Sequence, residues 1–419
     1  MNNYSYSTNR FFSYKLLLLF FFPTIVTCFL PGSVVIPTAL AGYCVAYMLF
    51  KYPSFLQKKD YDGAGIVKLF FLLNIYIYVR GFFNIGTVYD AYAMASTLLF
   101  TSILIPSLIY LSRPQYADKI WKSCIIWGIP LSIITYFFPP SDGIMSMGFN
   151  ASFLNLFILF IPFVNYKWRL FIILLSILVI FSDLDERSII VGLIFPFLIV
   201  VFWRFIKSRF TLSILFALFI IIPFLFVILG TFYGVNIFEI LGSSDYKLQG
   251  ADNEMFVDSR TGIYTDVIVG LYEKNSILWG LGGNGKIHSY LMDLSGYDFD
   301  SVYKGGRGAT ESGMLNYFLY SGVIGVIVYG LFLLRAAYLA IYKSKNRLMK
   351  MLGVFIAFKF TYSFIDDRIA FTCHCLYFFL WIGMCYNRSF RAMSDIEMKS
   401  FISSIFGNKT NHHIQTQYV

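Results

Sequence analysis

Charge is what this sequence has least of. Of 419 residues only 13% are Asp, Glu, Lys or Arg, against about 25% in a soluble globular domain. Hydrophobic residues make up 58% and the mean hydropathy is +0.67, which puts the chain outside the soluble globular class. Ionisable side chains are scarcest inside the apolar runs. Lys359 is the clearest case there, and it reads as snorkelling to the cytoplasmic side. A charge at the bilayer centre costs about 2.5–3.5 kcal/mol on insertion scales, so the lack of mid-helix charges argues against a transporter built on them. Cysteines are also few. Cys28, Cys44, Cys124, Cys373, Cys375 and Cys385 all lie in or beside apolar segments, which excludes a disulfide framework in the outer loop. Cys373-His374-Cys375 carries metal-ligand residue types at a spacing poor for tetrahedral zinc, so no metal is expected. The N-terminal run from Leu16 to Leu30 follows Arg10 and Lys15 but lacks a small-x-small cleavage site, and reads as an uncleaved first helix. No internal repeat is visible.

What is present is a series of apolar runs. Segments long enough to span a bilayer, about 17–25 residues each, fall near 13–30, 33–50, 65–82, 91–112, 120–138, 150–166, 168–183, 188–206, 211–233, 312–337, 348–365 and 369–387. Abundant Phe (47) and Tyr (31) suit helices anchored at two membrane interfaces. The net charge of +10 is spread over alternate loops and not gathered in one patch, which argues against nucleic acid as a partner. Lys51, Lys58 and Lys59 follow the second run, Arg113, Lys119 and Lys122 the fourth, and Lys343, Lys345, Arg347 and Lys350 the tenth. By the positive-inside rule both termini are cytoplasmic. The expectation is one all-α domain over residues 1–419 with about twelve transmembrane helices and a polar, partly disordered cytoplasmic tail at 392–419. One large outer loop at 234–311 precedes the tenth helix. That loop is acidic and Gly-rich, with short helices expected near 260–273 and 285–294.

Function is expected at the outer face. Arg80, Arg187, Arg260, Arg307 and Arg368 occupy five separate outer positions against the positive-inside bias. A guanidinium fork matches phosphate oxygens. Neighbouring acids offer another use for it: Asp183 or Glu186 for Arg187, Asp366 for Arg368, Asp90 for Arg80. The run Trp279 to Gly285 (WGLGGNG) reads either as a backbone anion nest or as a tight glycine turn. It is not a P-loop, because no Lys-Ser/Thr follows at the required spacing. Arg307 to Gly325 leads into the tenth apolar run. A helix starting near Thr310 would put Glu311 in its first turn, either as a carboxylate favoured by the helix dipole or as a general base of raised pKa.

This order of features resembles the bacterial O-antigen polymerase and ligase superfamily. A long outer loop comes late in a many-helix chain, followed by a W-G-x-G-type turn, a polar pair (Glu311-Ser312), then Leu315, Gly322 and Gly325. In the ligases the pair is typically His-Asn, and the departure here counts against a ligase. The topological resemblance covers nearly the whole chain; the local motif covers about 260–325 and is degenerate.

The resemblance implies a cofactor-free membrane glycosyltransferase in the bacterial inner membrane. It would join undecaprenyl-pyrophosphate-linked repeat units at the periplasmic face. Arg260, Arg307, Arg187 and Arg80 would neutralise the leaving pyrophosphate, and Glu311 or His288 would act as the base. Membrane lipid and a chain-length regulator protein are the other partners it allows. The competing readings are an O-antigen ligase, a lipid-linked oligosaccharide flippase and a scaffolding membrane protein. A flippase calls for two related halves and a charged central cavity, neither of which the sequence shows.

Overall fold

The computed structural model describes residues 4–30, 35–51, 61–138, 147–182, 187–233, 259–289, 306–366 and 370–407. Among these the chain is helical. Two isolated antiparallel bridges lie among them, Tyr61 with Asn387 and Ile287 with Arg307.

The first part of the chain forms α1 (Tyr4–Phe29), α2 (Val35–Lys51), α3 (Ala64–Gly81), α4 (Val88–Ala93) and α5 (Leu99–Leu108). A wide π-turn over Met94–Leu98 joins α4 to α5. Then come α6 (Pro114–Ser123), α7 (Ile129–Phe137), α8 (Met147–Asn150), α9 (Leu154–Phe160), α10 (Tyr166–Ser182), α11 (Arg187–Val201), α12 (Trp203–Ile206) and α13 (Arg209–Tyr233). The last part forms α14 (Ser259–Glu273), α15 (Gly313–Tyr342), α16 (Arg347–Tyr362), α17 (Cys373–Tyr386), α18 (Arg388–Ala392) and α19 (Asp395–Ile405).

Among the described residues four stretches are long and apolar enough to cross a membrane: Ala64–Asn84, Pro114–Phe137, Arg209–Leu229 and Gly313–Tyr342. Several shorter apolar helices, among them Ile189–Val201 and Cys373–Tyr386, pack with them. The Arg209–Leu229 stretch has a mean hydropathy of 3.1 and only 11% of it is buried, the signature of a helix facing lipid. The chain is thus an all-α membrane protein.

Local chemistry sets the helix starts. Ser312, Asn346, Thr372 and Ser394 each sit at an N-cap and accept from the amide three residues on, and Pro114 opens α6 where its missing N–H costs nothing. The interior is aromatic. Phe70 of α3 stacks on Phe332 of α15 at 4.2 Å between ring centroids, and Tyr386 of α17 donates to the Phe332 carbonyl at 2.7 Å. Polar groups in this layer are satisfied across helices: Tyr317 donates to Asn74 Oδ1 (3.2 Å) and Ser112 to the Leu380 carbonyl (2.9 Å).

Two expectations are corrected here. The helix expected near 285–294 is absent over its described part: residues 285–289 are extended or turn, because Ile287 pairs with Arg307. The tail is described to Gly407; the rest of the 392–419 segment lies outside the described residues. Its helix α19 carries a Ser394–Glu397 capping box and reaches back to α6 through Ser404, whose hydroxyl donates to Asp118 at 2.8 Å. Lys359 does not snorkel to the end of the bundle that carries Lys343, Lys345 and Lys350. It is 2% exposed and lies near the other end of α16.

Candidate functional site

The tenth apolar run is one helix by hydropathy but two by geometry. Gly322 adopts φ 64° and ψ −156° inside α15, a conformation open to glycine alone, and breaks the hydrogen-bond ladder. The freed groups find partners in residues 277–282. The Leu319 and Tyr320 carbonyls accept from the amides of Leu281 and Gly282, both at 2.8 Å. In return the Val323 and Ile324 amides donate to the Ile277 and Leu278 carbonyls at 2.9 and 3.4 Å. Gly280 faces the same break, since a Cβ there would lie 2.2 Å from the Ser321 nitrogen. The glycines of the WGLGGNG run therefore let one backbone plug into another.

Helix α3 holds the other side of this plug. The Gly283 amide donates to the Ile77 carbonyl at 2.9 Å, and Asn84 Nδ2 donates to the carbonyls of Leu281 and Gly283 at 2.7 and 2.9 Å. Arg80 donates to the Trp279 carbonyl at 3.1 Å and to the Tyr76 hydroxyl, which itself donates to Trp279 at 2.8 Å. These contacts decide between the two readings of the glycine run. The amides of Gly280, Leu281, Gly282, Gly283 and Gly285 all donate to protein carbonyls, so the run is a structural turn and not an anion nest. Arg80 does not reach for Asp90 as the sequence suggested; among the described residues that carboxylate pairs with Lys286 at 3.2 Å. Burial raises the Asp90 pKa, but the Thr87 side chain, Lys286 and the Gly86 amide outweigh it and hold the carboxyl below its ordinary value.

A second layer lies beside the plug. Helix α14 packs Ile263, Val267 and Leu271 against Ile287, Leu315 and Leu319. Directly opposed residues of an antiparallel bridge share a face and neighbours alternate. Ile287 and Arg307 are accordingly both buried, whereas His288 is exposed. On the buried side Ser289 donates to Asp266 at 2.5 Å, and Arg307 Nε donates to the Ala309 carbonyl at 3.1 Å. Thr310 is locked by Asn316, whose Oδ1 accepts from the Thr310 amide at 2.7 Å and whose Nδ2 donates to its carbonyl at 2.8 Å.

Three distant segments then meet at the turn ending α16. Tyr264 of α14 donates to the Phe364 carbonyl, and burial pushes its phenol pKa up. Ser312 Oγ and the Met314 amide donate to the Ser363 carbonyl, both at 2.8 Å. The Gly313 amide donates to the Asp366 carbonyl at 2.9 Å.

Beyond this turn is a cleft lined by Phe149, Ser152, Asn155, Lys359, Tyr362, Asp366 and His374, with Ile189, Gly192 and Leu193 of α11 on one wall. It leaves about 20 Å³ for water centres within about 370 Å³ of atom-free space.

The candidate residues thus separate. Arg307 and His288 share a bridge but point to opposite sides. Glu311 is exposed and lies one residue before the N-cap Ser312, so it stands outside the first turn, contrary to the expected start near Thr310. Arg187 opens α11 and Arg260 lies at the start of α14, four residues before Tyr264, with both side chains outside the described residues; Arg368 lies outside them altogether. Sequence reasoning missed Asp266, Ser152, Asn155 and the placement of Lys359, Asp366 and His374 in one cleft. The available signal was polar residues inside apolar runs, which are costly there and need a reason. No protein-family model, no curated protein and no solved structure matches this chain.

Proposed function

We propose that this chain is a membrane glycosyltransferase of the O-antigen polymerase kind, joining repeat units carried on undecaprenyl pyrophosphate at the periplasmic face of the bacterial inner membrane. The reading includes about twelve spans, cytoplasmic termini and residues 234–311 as the periplasmic loop. Its main support is the convergence of α14, the 307–316 segment and the 363–366 turn. Tyr264, Ser312, Gly313 and Met314 all donate to carbonyls of that turn, so three segments far apart in sequence meet there.

The chemistry asks for two things at such a meeting point. The acceptor hydroxyl attacks the anomeric carbon and loses its proton to a base, while the bond to the lipid pyrophosphate breaks and that group leaves with the electron pair. Cations stabilise the departing charge, and a low-dielectric surrounding strengthens their effect. Arg307 is the described cation best placed for this, buried yet on the outer segment. Glu311, exposed on the same segment, is the accessible carboxylate. Arg80 is assigned to holding the glycine turn.

The test is the lipopolysaccharide ladder of a deletion strain beside the complemented one. Loss of the ladder with a single repeat unit still on the core supports the polymerase. Loss of that unit as well would point to a ligase or a flippase and overturn it.

A further inference from the structure

We propose that the cleft between α9, α11, α16 and α17 is a subsite for hydroxyl groups of a neutral sugar. The proposal takes the origin of the ligand from the polymerase reading, as part of the repeat unit, but the site itself follows from the side chains. Ser152 and Asn155 are 5% and 4% exposed, and Ser152 Oγ and Asn155 Oδ1 have no hydrogen-bond partner among the described residues. A buried polar atom without a partner costs about 1–3 kcal/mol, so something that supplies partners is favoured there. Both line a cleft whose other polar groups are Lys359, Tyr362, Asp366 and His374.

The character of this lining selects the ligand. One cation, Lys359, and one carboxylate, Asp366, offset each other in the lining, which disfavours a phosphate. Hydroxyl, amide, ammonium and carboxylate groups offer donors and acceptors together, as a sugar hydroxyl requires, being both at once. Phe149, Tyr362 and His374 supply flat apolar surface beside them; the Phe149 and His374 rings meet edge to face at 5.7 Å. The cleft has room for a water, so an inserted hydroxyl would take the place of water, with the rest of the sugar at the mouth.

The experiment measures thermal unfolding of the purified full-length protein in detergent with either of two probes. One is the repeat-unit oligosaccharide released from its carrier; the other is inorganic pyrophosphate. The oligosaccharide in large excess is expected to raise the wild-type midpoint by roughly 2 °C or more, and pyrophosphate is expected not to act through the cleft. Asn155→Leu, which fills the cleft, should abolish the oligosaccharide shift. Ser152→Ala, which removes one hydroxyl without adding bulk, should reduce it and guards against misfolding of the first variant. A full shift in both variants, no shift in the wild type, or a pyrophosphate shift that Asn155→Leu abolishes would each overturn the subsite. If the deletion strain loses its ladder while the oligosaccharide gives no shift, the subsite alone fails. A shift with the ladder retained sinks the polymerase reading alone.

Discussion

Arg80 and Arg307 look alike in the sequence and differ in what they touch. Arg80 binds the Trp279 carbonyl and the Tyr76 hydroxyl, so its loss should act on stability. Arg80→Met is expected to lower the detergent unfolding midpoint by the equivalent of about 1–3 kcal/mol, measured by thermal melting. Arg307→Ala should instead abolish polymer while the protein stays in the membrane, read by gel ladder and immunoblot together. Arg307→Lys should restore part of the polymer, because a point charge lacks the bidentate fork. Asp90 gives a pH dependence. Its carboxyl titrates below the ordinary value, so its stabilising contribution is full above the unfolded-state pKa of about 3.9 and is lost as pH falls through the lower folded value. The melting midpoint should fall more steeply with acidification below about pH 4 in the wild type than in Asp90→Asn.

At the scale of elements the 277–283 turn owes its place to the break in α15. Gly322 has a positive φ, and a Cβ there would lie 2.4 Å from the Ile277 oxygen; Gly280 faces the Ser321 nitrogen just as closely. Neither contact can relax by rotating a side chain, since both obstacles are backbone. Gly322→Ala and Gly280→Ala are therefore each expected to cost at least about 3 kcal/mol. Both should release the 277–283 turn, which limited proteolysis of the purified protein would show as cleavage near Trp279. Gly65→Ala, with nothing within 4 Å of the new methyl, is the control and should melt at or slightly above the wild-type temperature. A Gly322→Ala protein as stable and protease-resistant as wild type would mean that the turn is not held by this break.

For the whole molecule, the end of the bundle opposite the glycine turn is fastened by charge. Asp62, just before α3, pairs with Arg388 at 2.5 Å and with Arg391, and the Tyr61–Asn387 bridge lies beside them. Burial raises the Asp62 pKa, but the two arginines outweigh it and hold the carboxyl below its ordinary value. If this end is cytoplasmic, a fluorescent protein fused after Val419 should fluoresce and an alkaline phosphatase fused there should be inactive. The reverse pattern would invert the topology and move the proposed chemistry to the wrong side.

Hydropathy and charge alternation, both additive along the chain, were enough to identify an all-α membrane protein and to draw attention to Arg307 and the glycine run. Local capping chemistry was legible too, though it was read two residues early at Thr310, because Asn316 claims that threonine from across the turn. Only the tertiary structure decided the rest. Whether the Gly280–Gly285 amides face an anion or a carbonyl depends on a helix break some forty residues away. Whether Lys359 leaves the membrane or enters a cleft depends on Asn155, Asp366 and His374 being brought beside it. Sequence patterns report what a residue prefers, whereas pairings between distant polar groups are set by which backbones come close enough to need them.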